Sequence, residues 1–245
     1  MKTVVVFSGA GLSAESGVPT FRDSGSLWEN HNVEDVASPE GWAQDKQLVL
    51  DFYEARFNGV AQCEPNAAHK AIAKLQDQFN VVNITQNIDD LLERAGCNNV
   101  HHIHGALNRR KCEKHKGSVV LDGDMNYQCD YVTLQTEPVK LGDSCPKCGG
   151  QMRPDVVWFG EVVDMSYEMI AELVKEVKYN DGVFITVGTS AQVYPAAHLI
   201  PFFAQVKNKY IIDKSPKKIG DYTLLTGNAG EEMPKLVEQL LKGTE

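Results

Sequence analysis

Nothing in this chain approaches the length of apolar run that would cross a bilayer as a helix. The first apolar run is shorter than a signal-peptide core and stops at glycine, so it reads as a strand and the expected location is the cytoplasm. A surplus of positive charge is also missing. With 24 Lys and Arg against 33 Asp and Glu, the formal net charge of −9 argues against a non-specific nucleic-acid binder and leaves room only for a local basic patch. There is no internal repeat, low-complexity stretch or flexible linker. What remains is ordinary globular composition, 42% hydrophobic and 23% charged. A chain of 245 residues suggests one large domain, or one domain carrying an inserted module. Six cysteines in such a chain read as metal ligands where they cluster rather than as disulfides.

A further absence shapes the N-terminal reading. Thr3 to Phe7 is a short β-branched run, and Gly9, Gly11 and Ala14 behind it fit the G-x-G-x-x-G/A dinucleotide pattern. The first glycine permits the tight turn and the second lets backbone approach a pyrophosphate. The small third residue lets helix and strand pack closely. A helix starting near Ser13 would aim free N–H groups at the phosphates. The acidic residue that normally follows a second strand about twenty residues on is missing. This loop therefore does not run directly into an ordinary βαβ unit. Pro19 discourages a long first helix, and Arg22 is placed to meet a phosphate or a carboxylate.

Residues 28–61 read as a helical module. Ser38 is a candidate N-cap for a helix opening at Pro39, and a second helix is expected over Gln47 to Phe57. Tyr53 and Arg56 share one face of it, which by spacing alone describes a half-buried phenol and a solvated guanidinium. A helix over Asn66 to Phe79 precedes the buried strand Val81 to Thr85, which runs into Gln86-Asn87-Ile88-Asp89-Asp90. Polar residues at the carboxyl end of a parallel strand sit where α/β folds bind ligands, although Asn87 or Asp89 would also serve as an N-cap for Asp90 to Ala95. In the strand Val100 to Gly105, alternation sets His102 and His104 on one face and His101 on the other, against a metal site. His104, last before Gly105, is a candidate general base.

From Asn108 to Arg153 the chain is polar and lacks a helical period, as in a small module that cannot build a core unaided. Cys145-Pro146-Lys147-Cys148-Gly149-Gly150 is a zinc knuckle. Two sets would close the tetrahedron, Cys112/Cys129/Cys145/Cys148 or Cys112/His115/Cys145/Cys148, with four thiolates preferred. Either is a closed, structural site. Arg153 to Glu161 returns to apolar β character with exposed aromatics, suited to strand addition with a peptide or to a place in the core sheet. Ser166 to Tyr179 reads as an amphipathic helix and Gly182 to Val187 as the most apolar strand, ending in the small-residue turn Gly188-Thr189-Ser190. Val193 to Ala204 is expected to be helical. Tyr210 to Asp213 is the last strand, with a carboxylate suited to ribose hydroxyls, and Glu231 to Lys242 a closing helix.

GAGLSAESGVPTFR, TQNIDDLLERAG, HIHGAL, VVWFGE and VGTSAQVYPAA, in this order around a cysteine module, closely resemble the sirtuins, NAD-dependent protein lysine deacylases. The resemblance covers nearly the whole chain, from Val4 to Leu241. It implies an α/β fold: a Rossmann-like parallel sheet with helices on both faces over 1–27, 62–107 and 154–245. A small helical module over 28–61 and a small inserted zinc-binding module over 108–153 complete it. It further implies that Gly9, Ala10, Gly11, Glu15, Phe21, Arg22 and Trp28 hold NAD, with Gln86, Asn87, Ile88 and Asp89 around the nicotinamide ribose. Gly188, Thr189, Ser190, Asp213 and Ala229 would face the adenosine side. His104 would be the catalytic base, assisted by Asn87. Val157, Trp158, Phe159, Gly160 and Glu161 would pair with an acylated-lysine peptide. Asp213 departs from the asparagine usual there, but ribose hydroxyls can still donate to it. The run Phe52-Tyr53-Glu54-Ala55-Arg56 is similar to class III members, whose Tyr-x-x-Arg pair binds acidic acyl groups. An arginine fork and a phenol suit a succinyl carboxylate.

The expected activity is therefore removal of acetyl and negatively charged short acyl groups from lysine by a monomer using NAD and a structural zinc, with no nucleic acid or membrane partner. An ADP-ribosyltransferase shares the NAD chemistry and is the nearest alternative. A non-catalytic zinc-ribbon module is opposed by His104 and the complete Gln86 to Asp89 block. An ordinary NAD oxidoreductase is opposed by the missing acidic residue and the cysteine insert.

Overall fold

The computed structural model describes residues 1–20, 31–116, 128–163, 165–189 and 199–243, together with the backbone of 27–28. Phe21, Arg22 and Ser190 lie outside the described residues, as does the side chain of Trp28.

The chain opens with β1 (Thr3–Ser8), then a two-residue ribbon of β2 (Leu27–Trp28) and β3 (His31–Asn32). Helices α1 (Val33–Val36), α2 (Pro39–Gln44), α3 (Lys46–Ala61) and α4 (Ala67–Leu75) follow. Next come β4 (Asn80–Thr85), α5 (Leu91–Arg94), β5 (Val100–His102) and β6 (Gly105–Cys112). After β7 (Val132–Leu134) and β8 (Met152–Val156) stand α6 (Tyr167–Tyr179), β9 (Val183–Val187) and α7 (Leu199–Phe202). The chain closes with β10 (Asn208–Asp213), β11 (Thr223–Thr226) and α8 (Ala229–Lys242).

Among the described residues, six strands form one parallel sheet in the order β11-β10-β9-β1-β4-β5. The order grows outward from β1 first toward β5 and then, after the insert, toward β11, so the reversal falls between β1 and β9. Both faces are buried, which is why β1 and β9 read as continuous apolar runs. One face packs on α4 and α8 through Ile72, Leu75, Met233 and Leu236, and the other on α6 and α7 through Ile170, Leu199 and Ile200.

A second, three-stranded antiparallel sheet, β7-β6-β8, holds the cysteine segment. It begins at Gly105 and reaches Val156, so Arg153 to Val156 belong to this sheet rather than to the main one. Its core is shared with the helices of residues 33–61: Val36, Trp42, Val49 and Tyr53 pack with Cys112, Cys145, Met152 and Trp158.

Local chemistry explains the helix ends. The Ser38 hydroxyl accepts the Gly41 N–H at 2.9 Å, with Pro39 at the first helical position as expected. The Asp45 carboxylate accepts from Leu48, which starts α3 at Lys46, and the helix runs on to Ala61, four residues past the expected end. Asn66 caps α4, and His69 answers it as the reciprocal partner of a capping box.

Candidate functional site at the sheet reversal

The reversal between β1 and β9 opens a cleft at the carboxyl ends of the strands, the position where open α/β sheets take ligands. Its two floor turns interlock. Gly9 N donates to Val187 O at 3.0 Å and Gly11 N to Gly188 O at 2.9 Å. A Cβ on Gly11 would stand 2.7 Å from the Gly188 Cα, and one on Gly188, at φ +62, would meet Leu12 N at 2.3 Å. The glycines are therefore required by contact between two turns as well as by turn conformation.

No α-helix starts at Ser13. The chain makes two short 3₁₀ turns, Ala10–Leu12 and Ala14–Ser16, which the left-handed Gly17 and then Pro19 terminate. The expected helix dipole is absent because the pattern stops before a second turn can form, and two of the backbone donors are committed to the β9 turn.

The cleft encloses about 740 Å³ and is lined by Gly9, Ala10, Gly11, Gln86, Asn87, Ile88, Asp89, His104, Gly188, Thr189, Asp213 and Ala229. Tyr53 and Arg56 from α3, and Val157, Trp158, Phe159, Gly160 and Glu161 from the segment after β8, line the same space. Glu15 stands apart from this wall: its carboxylate accepts the Gly230 N–H at 2.7 Å, at the N-terminus of α8. The volume lies in the range typical of small-molecule and cofactor pockets.

Strand β5 ends at His102, so the alternation expected to extend to His104 does not apply. The chain turns out at Ile103, and each histidine finds its own carbonyl. His104 Nδ1 lies 3.2 Å from Gln86 O. A carbonyl only accepts, so Nδ1 carries the proton and Nε2 keeps its lone pair. Burial holds this imidazole below the ordinary histidine range, against the opposing pull of the Gln86 hydrogen bond. The result is a neutral ring with an available base nitrogen at neutral pH.

The polar wall is braced from behind. Gln86 Nε2 donates to Thr189 Oγ1 at 2.8 Å, tying the β4 exit to the β9 exit. Asn87 Nδ2 donates to Ser13 Oγ at 3.1 Å, and His69 Nε2 lies 3.4 Å from the same hydroxyl. Because His69 Nδ1 accepts the Asn66 N–H, Nε2 carries the proton toward Ser13. Burial lowers the His69 pKa to about 4, so it remains neutral. Asp89, also buried, has its carboxyl pushed up by desolvation, with Ser13 and the Leu91 N–H pulling the other way. From the sequence, Ser13 reads only as a helix start and His69 is not singled out. The only local signal is Asn66 standing three residues before His69, a capping spacing.

His102 has both ring nitrogens against acceptors, Asn87 O at 2.8 Å and Glu93 Oε1 at 2.7 Å. Two acceptors are met in full only by the protonated ring, which donates from both nitrogens. Burial and the Arg109 charge oppose it, but the hydrogen bond and charge of Glu93 prevail and raise its pKa. A raised folded pKa stabilises fully below the ordinary value of about 6.5, and that contribution is lost as pH rises through the folded value. His102→Gln is therefore expected to cost more stability at about pH 6 than at about pH 9 in urea unfolding. A pH-independent difference would show that the ring is neutral.

Also on the cleft wall, Tyr53 and Arg56 are one helical turn apart on α3. Arg56 is 7% exposed, not solvated as spacing alone suggested. Its guanidinium lies 5.4 Å from the centre of the Phe52 ring. Burial, against the hydrogen bond from Trp158 and the charge of Arg56, raises the Tyr53 phenol above its ordinary range, so it is a donor-competent neutral group. The aromatics after β8 divide. Phe159 is 51% exposed as expected, but Trp158 is 3% exposed and turned into the core, because the strand ends at Val156 and the segment bends.

The sulfurs of Cys112, Cys129, Cys145 and Cys148 all lie within 4.8 Å of one another. The pairs Cys112–Cys148 and Cys129–Cys145 stand at 3.4 and 3.7 Å. A zinc ion with Zn–S bonds of about 2.3 Å has tetrahedral edges of about 3.8 Å, so the donor set and size fit zinc with no open position. His115 is not in this group; its backbone N–H bonds Cys112 O instead.

The Sir2 family pattern matches residues 9–195. A Helicobacter pylori (strain J99) protein called NAD-dependent protein deacylase is 41% identical over 99% of this chain and 97% of its own length. One of the same name from Bacteroides thetaiotaomicron is 40% identical over 98% and 99%. Among solved structures, a Sir2 homologue in complex with NAD superposes with a TM-score of 0.81 at 37% identity, covering 100% of this chain and 91% of that one. A Sir2 protein bound to a myristoylated histone peptide gives 0.66 at 31% identity, over 100% and 94%. With a six-stranded sheet reversing at β1, a cleft edged by His104 and two interlocked glycine turns, and a cluster of four cysteines, this chain belongs to the Sir2 family.

Proposed function

We propose that this chain, an NAD-dependent protein deacylase, removes both acetyl and negatively charged short acyl groups from lysine. Succinyl is the type case, with malonyl and glutaryl as its relatives. The observation that carries the reading is that Tyr53 and Arg56 line the same cleft as His104 and the Gln86 to Asp89 block. An arginine fork with a neighbouring phenol is the natural receptor for a terminal carboxylate, and burial strengthens it.

In this reading the turns at Gly9 to Gly11 and Gly188 to Thr189 hold the dinucleotide, and Asp213 and Ala229 take its adenosine end. Gln86, Asn87, Ile88 and Asp89 surround the nicotinamide ribose. His104 Nε2 removes a proton from a ribose hydroxyl, which makes that oxygen nucleophilic toward the acyl carbon. Overall, acyl-lysine, NAD and water become lysine, nicotinamide and O-acyl-ADP-ribose. Residues 157–161 hold the peptide by its backbone, and the peptide-bound Sir2 relative supports an acylated peptide as the partner. Glu15 supports this wall indirectly through α8. The cysteine site holds its module together and takes no part in the chemistry.

The test is mass spectrometry of acetyl- and succinyl-peptides incubated with and without NAD. Wild type should release both groups only with NAD. Arg56→Met should lower succinyl kcat/KM about tenfold to a hundredfold more than acetyl, the range for losing a charge-assisted bond. Equal losses on the two substrates would remove the acidic-acyl assignment. With labelled NAD, ADP-ribose retained on protein would instead favour transferase activity.

A further inference from the structure

Trp158 occupies an unexpected place. It sits in the segment that faces the substrate peptide, yet its ring is turned into the core. Its Nε1 donates to the Tyr53 hydroxyl at 3.1 Å. We infer that Trp158 is a positioning residue for acid-tailed acyl groups: by donating to the Tyr53 oxygen it turns the phenol's own hydrogen away from the indole, so that the phenol serves an acyl tail as a donor, one helical turn from Arg56. This inference rests on the acidic-acyl reading above and names what sets up the receptor.

The argument is one of donor and acceptor counting. An indole N–H can only donate. In this contact the Tyr53 oxygen must therefore accept, and the phenol hydrogen must point away from the indole. A phenol left to rotate could present either a lone pair or its hydrogen to an incoming group. With the indole in place it presents a donor, which suits a carboxylate and repels nothing carried by it. The benefit is preorganisation, since the hydrogen is already turned before the acyl tail arrives.

Trp158 is itself held on three sides. Its backbone N–H donates to Glu161 Oε2 at 2.9 Å. The Arg153 guanidinium lies over its ring at 3.6 Å. Arg153 also donates to Val156 O at 3.1 Å and pairs with Glu161. Trp42 packs against the Trp158 ring at a centroid distance of 5.5 Å. Lys111 completes the cage, with Nζ 3.9 Å from Glu161 Oε2. Such a buried ionic frame leaves the indole little freedom to swing, so the direction of its N–H is set by β6 and β8 rather than by the substrate.

A Trp158→Phe chain tests this, with benzothienylalanine at 158 as a second variant that keeps the indole shape and replaces the N–H by sulfur. Steady-state kinetics on succinyl- and acetyl-peptides should show the succinyl-to-acetyl ratio of kcat/KM falling about tenfold, the change being in KM rather than kcat. Against a Tyr53→Phe background, which has no hydroxyl to orient, either change at 158 should alter the ratio no further. A ratio unchanged from wild type overturns the inference, as does a loss that persists in full without the Tyr53 hydroxyl. Arg56→Met separates the two levels. If it lowers succinyl turnover selectively while the isosteric change at 158 does not, only the role of Trp158 fails. If Arg56→Met is itself unselective, the acidic-acyl reading fails and this inference with it.

Discussion

His104→Tyr is expected to lower turnover by at least about a hundredfold on every acyl group while the fold survives. A positioned general base contributes about 10² to 10⁴ in rate. The reason lies in the Gln86 carbonyl, which accepts the Nδ1 hydrogen bond and leaves the Nε2 lone pair free for the proposed base role. A phenol, with a pKa near 10, is protonated at neutral pH and cannot take that proton. Formation of deacylated peptide, measured on a variant whose melting curve matches wild type, gives the answer. Formation at the wild-type rate would mean that His104 is not the base. The same geometry sets a pH dependence. A base must be unprotonated to act, and burial holds His104 below the ordinary histidine value. The acid limb of kcat/KM should therefore fall at a pH below about 6.5, rather than at or above it.

Cys145→Ser is expected to cause the largest loss of stability. Structural zinc contributes on the order of 10–16 kcal/mol of apparent binding free energy in small zinc modules, and most of it disappears when a thiolate ligand is removed. The damage would not stay in the module. Cys112, Cys129 and Cys145 share one buried cluster with Trp42, Tyr53, Val156 and Trp158, so the wall of the cleft rests on the metal site. The variant should bind less than one zinc per chain by atomic spectroscopy. Its thermal transition should move down to where the wild-type protein melts after chelation. A variant that keeps both its zinc and its melting temperature would show that Cys145 is not a ligand.

Much of the site was legible because its residues sit beside local signals. The two glycine turns follow apolar strands, the Gln86 to Asp89 block follows another, and Cys145 to Cys148 carries its own spacing. Other features were not, because the sequence there records only one side of a contact. GAGLSAE reads as the start of a helix, yet Gly188 claims the backbone of Gly11 and Gly17 ends the turn. The histidines of VHHIHG read as an alternating strand. In the fold, a turn at Ile103 ends the alternation and hands the two rings to different carbonyls. Ser13 and His69 gave no hint of their place behind Asn87, since the contact joins segments more than fifty residues apart.

The sequence by itself determined the class of fold, the order of the blocks and the resemblance that links them, because strand runs, turn glycines and thiolate spacing are local properties of a chain. Tertiary structure decided the rest. It chose Cys129 over His115, buried the Arg56 that spacing alone left in solvent, turned Trp158 inward and set His102 between two acceptors. Each of these depends on which acceptor, ring or sulfur arrives from a distant part of the chain. Burial and hydrogen-bond pairing are set by those arrivals, and no local pattern encodes them.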